Sequence, residues 1–296
     1  MTTSLRGRAE ALYAGLQDLL CEEVERQDGR ARFGKDAWTR AEGGGGVTRV
    51  IADGAVFEKG AINVSAVEGP APAALVEHLG VPAKSFYATG ISMIFHPRNP
   101  HAPTFHANVR YFEIDSGAAW LGGGCDLTPY YLYEDDARAF HQGLRDVCAR
   151  HPVADFAAWK AWCDRYFLNV HRGEARGVGG LFFDHQKGDL PALLAFQEAL
   201  GRAIPGLYLP IVARRRDTPY GEAEERWHLQ RRGRYVEFNL VHDRGTKFGL
   251  QTGGRVESIL VSLPPRVRFD YAAEPAPGSP EARLLEVLRG SPRDWA

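Results

Sequence analysis

Apolar residues recur along this chain with two periods, and the changes between them mark out its elements. Between residues 9 and 26, Leu12, Leu16, Leu19, Leu20 and Val24 fall on one helical stripe. Turns and short alternating strands follow in "WTRAEGGGGVTRVIADGAVFEKGAINVSAVEG". Its four glycines, Gly43 to Gly46, lack the Gly-Lys-Ser/Thr sequel of a phosphate loop and read as a surface loop or a lid. Residues 86–95 and 105–114 alternate like strands, joined by the proline-rich "HPRNPHAP". Residues 120–129, "WLGGGCDLTP", read as a glycine-dense turn. A helix is expected over 134–150, with Ala137, Phe140, Leu144 and Val147 on its apolar stripe and acids at its start. A second helix covers roughly 154–170, and "GVGGLFFDH" then turns into a strand. A third helix, near 189–203, precedes "LYLPIVARRR". The last third, through "GRYVEFNLVHDRGTKFGLQTGGRVESILVSLPP", alternates like two or three antiparallel strands, and a short helix near 280–289 closes the chain.

The strands cluster without regular βαβ alternation. The expected class is α+β, a large antiparallel sheet with helices packed on it. There is no internal repeat and no linker, so residues 1–296 read as a single domain.

Strand geometry gives the middle of the chain its chemistry. Side chains two apart share a face. His106, Asn108 and Arg110 therefore point one way, as do Ser92, Ile94 and His96 on the preceding strand. If the two strands are neighbours, one face carries two imidazoles, a guanidinium, an amide and a hydroxyl. Met93, Phe95, Val109 and Tyr111 fall on the other face, as a core. Polar groups on an otherwise apolar strand are costly unless satisfied, which points to a ligand cavity. His101 lies in the loop and has the weakest claim. His141 and His171 sit on expected helices; with His96 and His106 they would make a four-imidazole site for a divalent metal. Asp126 follows three glycines and would suit a ligand with N–H donors, or serve as a turn residue. Gly253 and Gly254 repeat the device ahead of Arg255, where a bulge with a surface arginine is the plainer reading. Histidines, arginines and an aspartate around one cavity fit an anionic ligand. They leave open a carrier, a histidine-ligated metal oxygenase and other enzymes.

Bulk properties remove some classes. The formal net charge of −1 gives no global field for nucleic acid or an anionic membrane. No stretch approaches the ~18 apolar residues of a membrane span. Cys21, Cys125, Cys148 and Cys163 have spacings that suit neither a zinc knuckle nor an iron–sulfur cluster, and they fit a reducing, cytoplasmic location.

"GISMIFHPRNPHAPTFHANVRYFE", "WLGGGCDLTPYY", "HRGEARGVGGLFFD" and "RRGRYVEFNLVHDRGTKFGLQTGGRVESILVSLPP" closely resemble oxygen-dependent coproporphyrinogen III oxidase, in uninterrupted order from about residue 35 onward. The resemblance implies a curved antiparallel sheet with helices on both faces, and a homodimer whose contact involves strands near 235–270. It implies that O2, as co-substrate, decarboxylates two propionates of coproporphyrinogen III to vinyl groups. The products are protoporphyrinogen IX, CO2 and H2O2, with no flavin, haem or iron–sulfur cluster involved. It assigns Ser92, Asn108, Val109, Arg110, Gly253, Gly254 and Arg255 to substrate, and His106 to proton transfer. His96, His106, His141 and His171 would hold a divalent cation, and Asp126 would accept pyrrole N–H bonds as a catalytic group. The chain departs from the pattern at His185, where Asp-His replaces Asp-Asp, and at Ala213, His242 and Lys247.

Overall fold

The structure is a computed structural model that describes residues 4–296 except 74, 75, 78, 79, 81 and 252. Helix α1 (Leu5–Asp28) starts at Ser4, whose side chain accepts the Gly7 N–H, and ends at Gly29 in the left-handed region (φ 77°). Its stripe buries Tyr13, Leu16, Leu20 and Val24; Leu12 and Leu19 pack at the margin. Six strands follow as a meander: β1 (Gly34–Thr39), β2 (Gly44–Ala52), β3 (Phe57–Pro70), β4 (Ser85–Pro97), β5 (Thr104–Ile114) and β6 (Ala119–Thr128). Helices α2 (Glu134–Ala149) and α3 (Phe156–Tyr166) come next, then a small ribbon of β7 (Leu168–Asn169) and β8 (Glu174–Ala175). Strand β9 (Gly179–Gln186) returns to pair with β6, so the sheet order is β1-β2-β3-β4-β5-β6-β9, antiparallel throughout.

The α+β class and the large antiparallel sheet with helices on both sides are present. The expected curvature is not: the sheet is neither curled nor closed, and β1 and β9 are its two unpaired edges. Curling a sheet takes bulges or glycine kinks repeated across the strands. Here the pairing runs unbroken except for shifts between Phe57 and Lys59 on β3 and between Leu121 and Gly123 on β6.

One face carries the main core. Met93, Phe95, Val109 and Tyr111 pack there with Phe105, Leu121 and Leu127 against α1, α2 and α4 (Leu190–Arg215). The other face is covered in part by α5 (Glu222–Glu237), a π-turn at Phe238–His242, α6 (Arg244–Gln251) and α7 (Val256–Leu260). Helix α8 (Pro280–Arg289) closes the chain where expected.

Three local expectations are overturned. Residues 120–128 belong to an interior strand, with Gly122, Gly123 and Gly124 in close register between β5 and β9. The tetraglycine is no lid: Gly43 lies in the tight turn, Gly44 to Gly46 open strand β2, and Gly43 and Gly44 supply the positive φ. The last third is helical, not stranded. Trp227, His228, Arg231, Arg232 and Tyr235 form the buried stripe of α5, and its basic members are neutralised inside: Arg231 by Glu174 at 2.7 Å and Arg232 by Glu58. A pattern that reads arginine as surface hides that stripe. Similarly, α4 runs on through Pro205 and Pro210 because Tyr208, Ile211 and Val212 are buried beyond them.

Candidate active site

Register across the sheet builds the site. Asp36, Thr48, Asn63, Ser92, Asn108 and Gly124 pair in sequence from β1 to β6, forming one polar row on one face. The next row on that face holds Ala61, Ile94, His106, Asp126 and Gly180, and the row on the other side holds Ser65, Gly90, Arg110 and Gly122. Ser92, His106, Asn108 and Arg110 are half-buried, while their strand neighbours Met93, Ala107 and Val109 are buried in the core. The shared polar face read from the sequence is therefore present. The Val109 side chain points away from it.

Asp126 is the most heavily engaged group. Its Oδ1 lies 2.9 Å from His106 Nδ1 and accepts from Arg176 Nη2 at 2.5 Å; its Oδ2 accepts from Arg176 Nε at 3.1 Å. Both members of the Asp126–Arg176 pair are 1% exposed. Burial pushes the Asp126 carboxyl up, but the Arg176 guanidinium and His106 outweigh it and hold it below the usual carboxylate range. Arg176 is fixed in turn by aromatic rings, 3.9 Å from the Phe167 centroid, with Phe238 and Tyr235 at 4.8 and 5.0 Å. A carboxylate can only accept, so the His106 Nδ1 hydrogen goes to Asp126.

Arg110 donates to Asn108 Oδ1 at 3.0 Å and meets Asp184 at 2.8 Å. Arg255 lies at the opposite side of the sheet, where it donates to Asp36 at 2.6 Å and to Ser258 Oγ at 3.3 Å. Four strand spacings separate β1 from β5, roughly 19 Å. The segment 255–263 is strapped onto the polar face. Ser258 Oγ meets Thr48 at 2.8 Å, Asn63 donates to the Ser258 carbonyl at 2.9 Å, and Lys59 donates to the Leu263 carbonyl at 2.9 Å. Gly253 (φ 69°) turns the chain into this strap, and the Gly254 N–H donates to the Gly249 carbonyl.

The four histidines do not converge. His96 is fully buried and uses both nitrogens: Nε2 donates to the Ser262 carbonyl at 2.9 Å, and Nδ1 accepts from Thr104 Oγ1 at 3.1 Å. Burial, then nearby Arg232, holds it neutral. His106 is bonded to Asp126. His141 lies on α2, against the core face, where its Nδ1 donates to the Ala137 carbonyl. His171 is exposed in the turn before β8 and pairs with His242 at 2.7 Å and Glu237 at 3.0 Å. The sheet itself separates His141 from His106, so the set does not fit one ion. No group of three or more metal-binding side chains is assembled among the described residues.

A cavity of about 500 Å3 reaches Asp126 between α3, β8 and the C-terminal segment, with Cys163, Phe167, Leu288 and Trp295 in its wall. None of Ser92, Asn108 or Arg110 lines it. Arg176 and Asp184 were not singled out from the sequence. Their partners lie 50 and 74 positions away, and spacing along the chain carries no trace of contacts that distant.

No helix among the described residues is long and apolar enough to cross a membrane. The model of the family described as coproporphyrinogen III oxidase matches residues 8–295, nearly the whole length. A ligand of that family carries four carboxylates and four pyrrole N–H groups, which suits a face rich in arginines and hydrogen-bond acceptors. The chain thus belongs to the coproporphyrinogen III oxidase family, enzymes of haem biosynthesis that use O2 for the oxidative decarboxylation of coproporphyrinogen III to protoporphyrinogen IX.

Proposed function

We propose that coproporphyrinogen III lies on the polar face, with its macrocycle over the Ser92–Asn108 row and its propionates held by Arg110 and Arg255. Ser92 and Asn108 bond the substrate, and Val109, Gly253 and Gly254 contact it through backbone atoms. The observation that carries this reading is the register that puts Ser92, Asn108 and Gly124 in one row and His106 and Asp126 in the next. Glycines at 90, 122 and 124 leave this face low enough for a broad ligand.

Each turnover of one propionate balances without a cofactor: –CH2CH2COOH and O2 give –CH=CH2, CO2 and H2O2. O2 adds to the electron-rich pyrrole, and the peroxide so formed removes a β-hydrogen of the propionate. Loss of CO2 then supplies the electron pair of the vinyl double bond. His106 manages a proton through Nε2, with its ring and tautomer fixed by Asp126. Asp126 also offsets positive charge as the pyrrole is oxidised, and Arg176 keeps that carboxylate ionised. The dispersed histidines leave no metal step to assign.

The chain acts as one domain and as a homodimer. Leu240, Val241, Leu250 and Val256 are exposed on the segment around α6, an apolar surface suited to a second copy. The four free, buried cysteines are consistent with a cytoplasmic enzyme. Purified protein is incubated with coproporphyrinogen III with and without O2, and the products are read by porphyrin fluorescence after oxidation. Protoporphyrin is expected only with O2, with one H2O2 per vinyl group formed. Substrate that binds but is not converted in air would leave a carrier.

A further inference from the structure

Asp184 and Arg110 meet over a strand that neither belongs to. Arg110 is on β5, Asp184 is on β9, and β6 runs between them. At the crossing point β6 has Gly122. A Cβ at that position would lie 2.6 Å from Asp184 Oδ1 and 3.2 Å from Arg110 Nη2. Any side chain there would close the gap through which the two groups touch.

Strand β9 is shaped to aim Asp184 into that gap. Gly123 pairs with Phe183 and Leu121 with Gln186, so Asp184 and His185 together face the single residue Gly122. This is a bulge, a device that redirects a side chain. His185 takes a positive φ of 49°, and its N–H donates to Asp184 Oδ1 at 2.8 Å. The other oxygen, Oδ2, is left for Arg110 at 2.8 Å. Asp184 is 12% exposed whereas Arg110 is 36% exposed, so the carboxylate is built in and the guanidinium is presented. Burial pushes the Asp184 carboxyl up, but Arg110 and His185 more than compensate, and it stays ionised. Asn108 and Asp184 together engage both terminal nitrogens of Arg110, which keeps the planar fork from swinging.

We propose that Asp184 is the positioning residue for Arg110, acting across the gap at Gly122 to hold the guanidinium in the orientation that receives a substrate propionate. This rests on the reading of Arg110 as a substrate anchor. Asp184 touches no reacting atom. It lowers the ordering cost of binding, because a pre-held arginine loses less freedom when the carboxylate arrives. The opposite role, a carboxylate that competes with the propionate, predicts the reverse sign.

Steady-state kinetics with coproporphyrinogen III separates these cases. Asp184→Ala is expected to raise KM about tenfold while kcat stays within twofold. Asp184→Asn keeps the acceptor and the His185 contact, and is expected to raise KM less. Gly122→Ala keeps both charged groups but obstructs their meeting, and is expected to act like Asp184→Ala. In an Arg110→Ala background, Asp184→Ala is expected to leave KM where Arg110→Ala alone puts it. A lowered or unchanged KM in Asp184→Ala and Asp184→Asn overturns the proposal, as does the same rise in both backgrounds. If Arg110→Ala alone leaves KM unchanged, the anchoring role of Arg110 falls and this inference with it.

Discussion

Arg176 grips Asp126 with two parallel hydrogen bonds inside a shell of aromatic rings, and both side chains are almost completely removed from water. The pair turns one strand residue into a fixed negative pole next to His106. It also means that Asp126 cannot be altered without leaving a buried cation.

Asp126→Ala should therefore damage both turnover and folding. Breaking a buried ion pair from one side costs about 3–5 kcal/mol. The same loss is expected for Arg176→Ala. Urea denaturation of both variants, and of the double variant, measures it; the double variant should be less destabilised than the sum of the singles. Additive losses would mean that the two groups do not depend on each other.

If Arg255 anchors a propionate as proposed, Asp36, its partner in this structure, competes for it. That pair is partly exposed, so it is worth ~1 kcal/mol or less. Arg255→Ala should raise KM for coproporphyrinogen about tenfold with little change in kcat. Asp36→Asn should lower KM, by no more than a few-fold. A raised KM in Asp36→Asn would show that Asp36 supports Arg255 and does not restrain it.

His96 pins the strap on which Arg255 sits. His96→Ala removes the bond to the Ser262 carbonyl and leaves Thr104 without that partner. Amide exchange across 256–263 should speed up, and KM should rise. Divalent-cation content, measured by elemental analysis of wild type and variant, should not change, because both His96 ring nitrogens are already bonded to Thr104 and Ser262. A stoichiometric ion lost on mutation would restore His96 as a ligand.

Acid should destabilise the fold through its buried histidines. His141 is held down to about 4, mainly by burial, against the ordinary value near 6.5. Above pH 6.5 it is neutral in both folded and unfolded chains and has no effect. As pH falls from 6.5 to about 4 the unfolded chain takes up a proton that the folded one refuses, and up to ~3 kcal/mol of stability is lost. His96 and His228 are shifted in the same direction, also chiefly by burial. His141→Leu should flatten the fall in urea midpoint between pH 7 and pH 5. A midpoint with unchanged pH dependence would mean that His141 takes a proton in the folded state.

Much of this molecule was legible along the chain. The alternation over residues 86–95 and 105–114 determined β4 and β5, which face is core, and that Ser92, His106, Asn108 and Arg110 share the other. Stripes of apolar residues determined α1 and α2 as well. These are short-range properties: the period of an element is written in consecutive residues. The long motifs carried the family and its reaction. Tertiary structure decided the rest. It made a strand of three glycines by setting Gly122–Gly124 between two neighbours, and a helix of "ERWHLQRRGRYVE" by burying its arginines against Glu58 and Glu174. It dispersed four histidines that the sequence had grouped: His141 sits on a helix packed on the far face of the sheet, His171 in an exposed turn, and His96 is taken up by Ser262 and Thr104. It also joined Asp126 to Arg176 and Arg110 to Asp184. An ion pair depends on where folded elements meet, and that is settled by packing among residues far apart in the chain.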